Sequence, residues 1–477
     1  MTGGKHGGKL SRRDVLRRAG LATAGTLAGG VALNAASPRL WPETPFVDPN
    51  RSYWARVLPA ERSPLVTDTD ADVAVIGGGL TGLSTAYFLR RLAPGLRVVL
   101  LEARRCGNGA SARNGAMLLT STAERWLVPG AEPELDRRLY ELTAANIGML
   151  RLLSEQFGVD IELEVGGAAQ VLRSDAELRR AQDAVARLRD RGVPAELWNA
   201  ETVRDRLGTG LYRGAVLDPA SGQLHPGRLV TLFRTAAESA GAEIHEGTRV
   251  DAIEEGPVHT IVTRAGRRVR APLLVLATNA YSSKLGYLRN AYAPVASYVA
   301  VTAPLDEATV DRIGRRNRVS FTDNRLEPYY LGMSRDRRLP IGGGPARYGF
   351  HDTAPPAAVE GLHRAALVDE LARIYPALGP VGFEACWSGA VDMSLDEAPA
   401  VGRTGRHGNV YYAIGFSGHG VNLTSVFGRV IAELIAGQPE AWNWLPYLNR
   451  LPPYLPNDPF RWLGIRAAQA ATRLVER

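Results

Sequence analysis

A chain of 477 residues with 45% hydrophobic content is long enough for two or three domains around a sizeable core. The formal net charge is +8, but Lys5, Lys9, Arg12, Arg13, Arg17 and Arg18 stand against Asp14 in residues 1–37, a local net of +5 that leaves +3 for the rest. That remainder, with no basic stripe interleaved with aromatics, argues against nucleic acid, and Cys106 and Cys386 alone are too few for a disulfide scaffold or a zinc site.

Ser11 to Arg17 carries a twin-arginine pattern, followed by a weakly apolar, small-residue stretch from Ala19 to Ala36. The expectation is export by the twin-arginine translocation machinery, to the periplasm or beyond the cytoplasm. A disordered basic arm is the other reading, and an uncleaved membrane tether stays open because Ser37 precedes Pro38. Pro38 to Asp70 is Pro-rich and irregular, a lead-in linker with Tyr53-Trp54 as an anchor onto the body.

Residues 72–102 then read strand, glycine turn, helix, strand. Val73 to Ile76 is an apolar run, and Gly77, Gly79 and Gly82 fill a G-x-G-x-x-G pattern that encloses Leu80 and Thr81. Gly77 permits the tight turn, Gly79 lets a pyrophosphate approach the backbone, and Gly82 lets the helix lie close to the strand. Free N–H groups at the helix start suit a diphosphate. Val98 to Leu101 ends at Glu102, at the distance where a carboxylate accepts from a ribose diol; Ala103 and Arg104 follow it. An ordinary glycine turn in a parallel sheet is the bland alternative.

Arg104 to Thr120 is glycine-rich, and Gly109, Ser111, Asn114 and Gly115 offer donors to phosphate and ring edges, although a loop of any kind would read the same. Helical spacing follows over Leu135 to Phe157, about Ala176 to Arg191, and Gly227 to Ala240. His225 reads as a loop or capping residue, since no metal partner sits at a recognisable spacing. From Glu243 a short meander closes on a buried strand, Leu273 to Ala277, and Lys284, the last of three lysines, is expected at the surface. Strands follow at Tyr292 to Thr302 and Tyr329 to Gly344. Residues 387–402 and 409–415 then lead to a second glycine turn, Gly415-Phe416-Ser417-Gly418-His419-Gly420, with a helix from Val421 to Ala436. The tail ends in a helix with Asp458 as N-cap and Pro459 at its first position.

The segments DVAVIGGGLTGLS, GASARNGAM, SGQLHPGRLV, LVLATNAY, WSG with SLDEAPAVG, and GFSGHGVN occur in this order. Together they resemble the flavin-dependent amine and amino-acid oxidases of the D-amino-acid oxidase and sarcosine oxidase type, and within it the gamma-glutamylputrescine oxidase branch. The resemblance implies an α/β (α+β) fold: a Rossmann-like FAD domain built from discontinuous segments and a substrate domain on an antiparallel sheet. It divides the chain into a signal at 1–37, a linker at 38–70, and an FAD domain at 71–130, 215–285 and 385–440. The substrate domain takes 131–214 and 286–384, and a helical tail 441–477.

It further implies C–N oxidation by hydride transfer to flavin, imine hydrolysis and reoxidation by oxygen giving hydrogen peroxide. A dehydrogenase with another acceptor and a non-catalytic flavin-binding protein are the alternatives. NAD in place of FAD is disfavoured by the GASARNGA segment. By this likeness Ser111, Arg113, Asn114 and Gly115 line the flavin side. The Gly415–Asn422 turn, with Gly418, His419, Gly420 and Val421, sets a helix end near the flavin N1–C2 carbonyl. Arg113 stands where some relatives attach FAD through histidine, and Gly389 where others use cysteine, so the FAD is expected to be non-covalent. His419, Tyr329 and Tyr330 are the candidate catalytic and pocket residues, against plain structural roles for each. The carboxylate-clamping arginine of amino-acid oxidases is missing from Tyr329 to Ser334, which tilts the substrate towards an amine unless Arg335 or Arg337 substitutes.

Overall fold

The computed structural model describes residues 52–120, 132–353 and 357–475. The twin-arginine segment and the lead-in as far as residue 51 lie outside the described residues.

Continuous apolar runs build the first sheet. Val73–Ile76 and Val98–Leu101 are buried at every position, as strands covered on both faces must be. They sit at the centre of a six-stranded sheet ordered Ala400–Thr404, Val410–Ile414, Leu273–Leu276, Val73–Ile76, Val98–Leu101, Glu243–His245. All pairs are parallel except the first. Val73, Val75, Val98 and Leu100 face a helical layer, while Ala74, Ile76, Val99 and Leu101 join a core with Ile261 and Val269 of the antiparallel meander on the other side. This two-residue alternation is what a strand imposes.

The helical layer contains Leu80–Leu92, Pro226–Ser239 and Gly420–Ile435. The first and last pack so closely that a Cβ on Gly428 would overlap Ser84 Oγ. Ser84 turns its hydroxyl back onto the Leu80 carbonyl at 2.6 Å, which keeps that face polar-free. The first residues of both helices, Leu80 and Gly420, line one cavity.

The second sheet has eight strands: Phe383–Met393, Ala293–Thr302, Pro340–Gly343, Tyr329–Leu331, Ser320–Asp323, Ala168–Leu172, Gly214–Asp218 and Glu196–Asn199. It is antiparallel apart from one parallel pair, Ser320–Asp323 beside Ala168–Leu172. Phe383–Met393 pairs with Ala293–Thr302 almost along its whole length, setting Ser297 opposite Gly389 and Val295 opposite Val391.

Trp54 is 1% exposed and donates from Nε1 to the Asn114 carbonyl at 2.9 Å. The lead-in is thereby fastened to the glycine-rich segment. His225 caps the Pro226–Ser239 helix, its Nδ1 accepting from Arg228 N at 3.4 Å.

Candidate active site

One elongated cavity of about 580 Å³ runs between the two sheets, from Glu102 at one end to Tyr330 and the C-terminal helix Phe460–Val475 at the other. Gly77, Gly79, Leu80, Thr81, Glu102, Ala103, Arg104, Gly109, Ser111, Arg113, Asn114 and Gly115 all line it. So do Tyr330, Gly389, Gly418, His419, Gly420 and Val421.

Two expected residues stand behind the wall. Gly82 is absent from the lining because it faces the strand: a Cβ there would run into the Gly77 carbonyl oxygen. Gly415 holds the second turn open with φ +73°. Tyr329 is carried away altogether. Its ring lies under Arg325 at 4.3 Å, within an Asp323–Arg325–Glu370 ion cluster. Neighbouring strand residues point to opposite faces, so of the tyrosine pair Tyr330 alone reaches the cavity.

At the first turn Gly77 has φ +106°, a conformation that costs a side-chain-bearing residue heavily. The Ser111 hydroxyl accepts from Leu80 N at 2.9 Å, which brings the second glycine-rich segment against the helix start. Glu102 accepts from Gly78 N at 2.7 Å and Arg104 N at 2.9 Å. Each carboxylate oxygen keeps a further lone pair for a hydroxyl donor. Burial pushes the Glu102 pKa up, against the pull of those two N–H groups.

Tyr330 packs where a Cβ on Gly115 or Gly342 would be; glycine at both positions is what admits the ring. Burial pushes its phenol up to about 12, partly offset by its hydrogen bond with Ser297. Arg113, 4% exposed, donates to the Asn108 carbonyl at 2.7 Å and the Ser388 carbonyl at 3.1 Å, tying the glycine-rich segment to the long strand. At the second turn His419 is the N-cap of Gly420–Ile435 and donates its backbone N–H to the Phe416 carbonyl at 2.8 Å.

Lys284 overturns a sequence expectation. It lines the cavity instead of the surface: its helical turn, Asn279–Leu285, follows directly on a central strand, and its ammonium lies 3.6 Å from buried Asp352. Asp392, not singled out in the sequence, is 1% exposed and accepts from Gly415 N at 2.6 Å. Its signal was its placement in an apolar stretch that reads as a strand, where a carboxyl needs a partner.

Burial pushes Asp392 up to about 7 despite the backbone donors of Gly415, Phe416 and Ser417. Between its ordinary value near 4 and about 7 the folded protein holds a proton that the unfolded chain has released. This group's stabilising contribution is therefore full below pH 4 and lost as the pH rises through about 7, a change of roughly 4 kcal/mol. Thermal melts of Asp392→Asn between pH 4 and 8 are expected to lack that slope.

The cavity fits FAD. Cβ-free walls, two converging helix N-termini and an acid after the second strand match the diphosphate and ribose of a dinucleotide. The tyrosine and the second turn stand where a ring system would follow. Neither cysteine lines the cavity, and Arg113 and Gly389 stand in its wall; acid precipitation is expected to release all the flavin into the supernatant, and yellow colour in the pellet would contradict non-covalent binding.

The family model for FAD dependent oxidoreductases matches residues 72–434. The gamma-glutamylputrescine oxidoreductase of Escherichia coli strain K12 is 32% identical over 386 residues, covering 80% of this chain and 87% of that protein. A probable oxidoreductase, OrdL, of Haemophilus influenzae is 29% identical over 406 residues, 82% of this chain and 89% of its own. The crystal structure of glycine oxidase from Geobacillus kaustophilus superposes with a TM-score of 0.67 at 23% identity, covering 80% of this chain and 98% of that one; this likeness concerns the fold. The chain belongs to the FAD dependent oxidoreductase family.

Proposed function

We propose that this protein oxidises the C–N bond of an amine or amino acid, with oxygen as the electron acceptor. The supporting observation is that both helix N-termini, Tyr330 and Gly389 converge on one cavity that also continues beyond them. When bound, FAD supplies the two-electron acceptor for hydride from the carbon bearing nitrogen, and the resulting imine is hydrolysed by water.

The chain's own contribution is positioning and charge. The Gly420–Ile435 helix directs its first N–H groups at the end of the cavity where negative charge would develop, a preorganised donor set that costs no rearrangement. Asp392 holds the preceding turn by accepting from Gly415 N at 2.6 Å. Tyr330, fixed between Gly115 and Gly342, closes one side against water.

Arg335 and Arg337 do not supply a carboxylate clamp. Arg335 pairs with Asp160 at 2.5 Å and Arg337 with Glu307 at 3.3 Å, both half-exposed and outside the cavity lining. This supports an amine, or a substrate whose carboxylate is remote from the reacting carbon. Of the relatives, gamma-glutamylputrescine oxidoreductase carries a name that fits that range, whereas glycine oxidase is named for a free α-amino acid.

Peroxide and amine are to be measured together during aerobic turnover. One peroxide per amine consumed supports the oxidase reading; flavin bleached by the amine but not recoloured by air would assign the electrons to another acceptor. Export by the twin-arginine route rests on the Ser11–Arg17 pattern. Arg12→Lys with Arg13→Lys is expected to retain the protein in the cytoplasm, scored by fractionation.

A further inference from the structure

We propose that residues 455–475, beyond the family-matched region, form the substrate-selecting wall of the cavity and fit it to amines carrying an apolar arm. This rests on the amine-oxidising reading above. The Phe460–Val475 helix turns one face inward: Arg461, Gly464, Ile465, Ala468, Gln469 and Thr472 recur at three- and four-residue spacing, and all line the cavity. Its other face is open, with Leu463 and Leu474 exposed.

The wall's place follows from strand register. On the cavity face of the long strand pair, Ser297 stands opposite Gly389, Val295 opposite Val391 and Ala293 opposite Met393. Each such step is about 7 Å. Ser297 bonds Tyr330, whereas Ile465, Trp462 and Leu455, together with Val391 and Met393, pack on the buried cluster Ala293, Val295 and Tyr348. The helix therefore covers the one or two steps beyond Tyr330, where the part of a substrate remote from the reacting carbon must lie. Small Gly464 and Ala468 leave depth there, and Leu455, Ile465, Val295 and Leu326 give it an apolar side, with Gln469 and Thr472 alongside.

The wall is fixed in place. Arg461, 3% exposed, lies 3.5 Å from Asp352, itself 1% exposed, and donates to the Arg289 carbonyl at 2.7 Å. Asp458 accepts from Trp462 N at 3.0 Å and from the Tyr348 hydroxyl at 2.9 Å. Gln469 donates to Glu327 at 3.2 Å and to the Ala346 carbonyl at 2.7 Å. A methylene gained or lost in such a pocket changes selectivity roughly tenfold or more.

The test uses the full-length flavin-loaded enzyme with N-methylalkylamines from ethyl to octyl, together with glycine and sarcosine, reading anaerobic flavin bleaching. The wild type is expected to favour hexyl over ethyl by at least about tenfold. Ala468→Phe is expected to cut that ratio by about tenfold or more, and Ile465→Ala to move the optimum to longer or bulkier arms, with flavin content and melting temperature confirming the fold. If Ala468→Phe does not fold, Ile465→Ala decides. Unchanged ratios in a flavin-loaded variant would overturn the wall assignment and leave the amine-oxidising function standing. Preference of the wild type for glycine or sarcosine would overturn the apolar arm. A flavin bleached by none of these compounds overturns the functional reading and the wall with it.

Discussion

Gly82→Ala is expected to yield a protein that purifies without flavin. The added Cβ would overlap the Gly77 carbonyl oxygen and come within 3.2 Å of Ala277 Cβ. Gly77 cannot yield, because its φ of +106° and the 2.5 Å separation between its own notional Cβ and the Ala277 carbonyl show a turn already pressed against the neighbouring strand. The Leu80–Leu92 helix must lift instead, which draws the Leu80 N–H from Ser111 and carries Thr81 away from where the diphosphate would bind. Overpacking of this kind costs about 1–3 kcal/mol. Borne by the FAD-bound geometry, that is about 100-fold in affinity at the upper end. The ratio of flavin to protein absorbance and a titration with FAD read it directly. Gly95→Ala is the control, since nothing lies within 4 Å of its notional Cβ.

Arg234→Leu is expected to cost about 3–5 kcal/mol of stability, the penalty for stranding a buried charge. Arg234 is 2% exposed and Glu246 is 1% exposed, with 3.2 Å between them. Glu246 also accepts the backbone N–H groups of Cys106 and Arg62, each at 2.5 Å. One carboxylate thus joins the Pro226–Ser239 helix, the lead-in segment and the turn after Glu102. Without the guanidinium it is left buried and charged. Arg234→Leu combined with Glu246→Leu is expected to recover part of the loss, because removing both charges removes the desolvation cost as well. Denaturation midpoints of the two variants check this; a double variant no better than the single one would contradict the buried-charge account.

The cofactor half was legible in the sequence where chemistry restricts the residue. Gly77 and Gly79 line the cavity as the G-x-G-x-x-G spacing required, and Gly82 shows why its pattern tolerates no Cβ. The substrate half was less legible. Tyr329 and Tyr330 are adjacent and alike, and only strand pairing decides which faces inward. Lys284 followed a run of small polar residues that reads as surface, yet a central strand delivers it to the cavity. The Ala357–Ile374 helix went unread because apolar residues lie all around it: Leu367, Leu371 and Ile374 are buried while Leu362 is 67% exposed. The inward face of the C-terminal helix could not be assigned from spacing alone, since Leu463 and Leu474 compete with Ile465 and Ala468 as its apolar side.

This cavity is expected to hold FAD and to deliver an amine to it. The most direct test is the absorption spectrum of the purified full-length protein, recorded anaerobically before and after a panel of amines and amino acids. The flavin bands are expected to bleach with an amine more readily than with a free α-amino acid. A protein that neither carries flavin nor takes it up when FAD is supplied would contradict this.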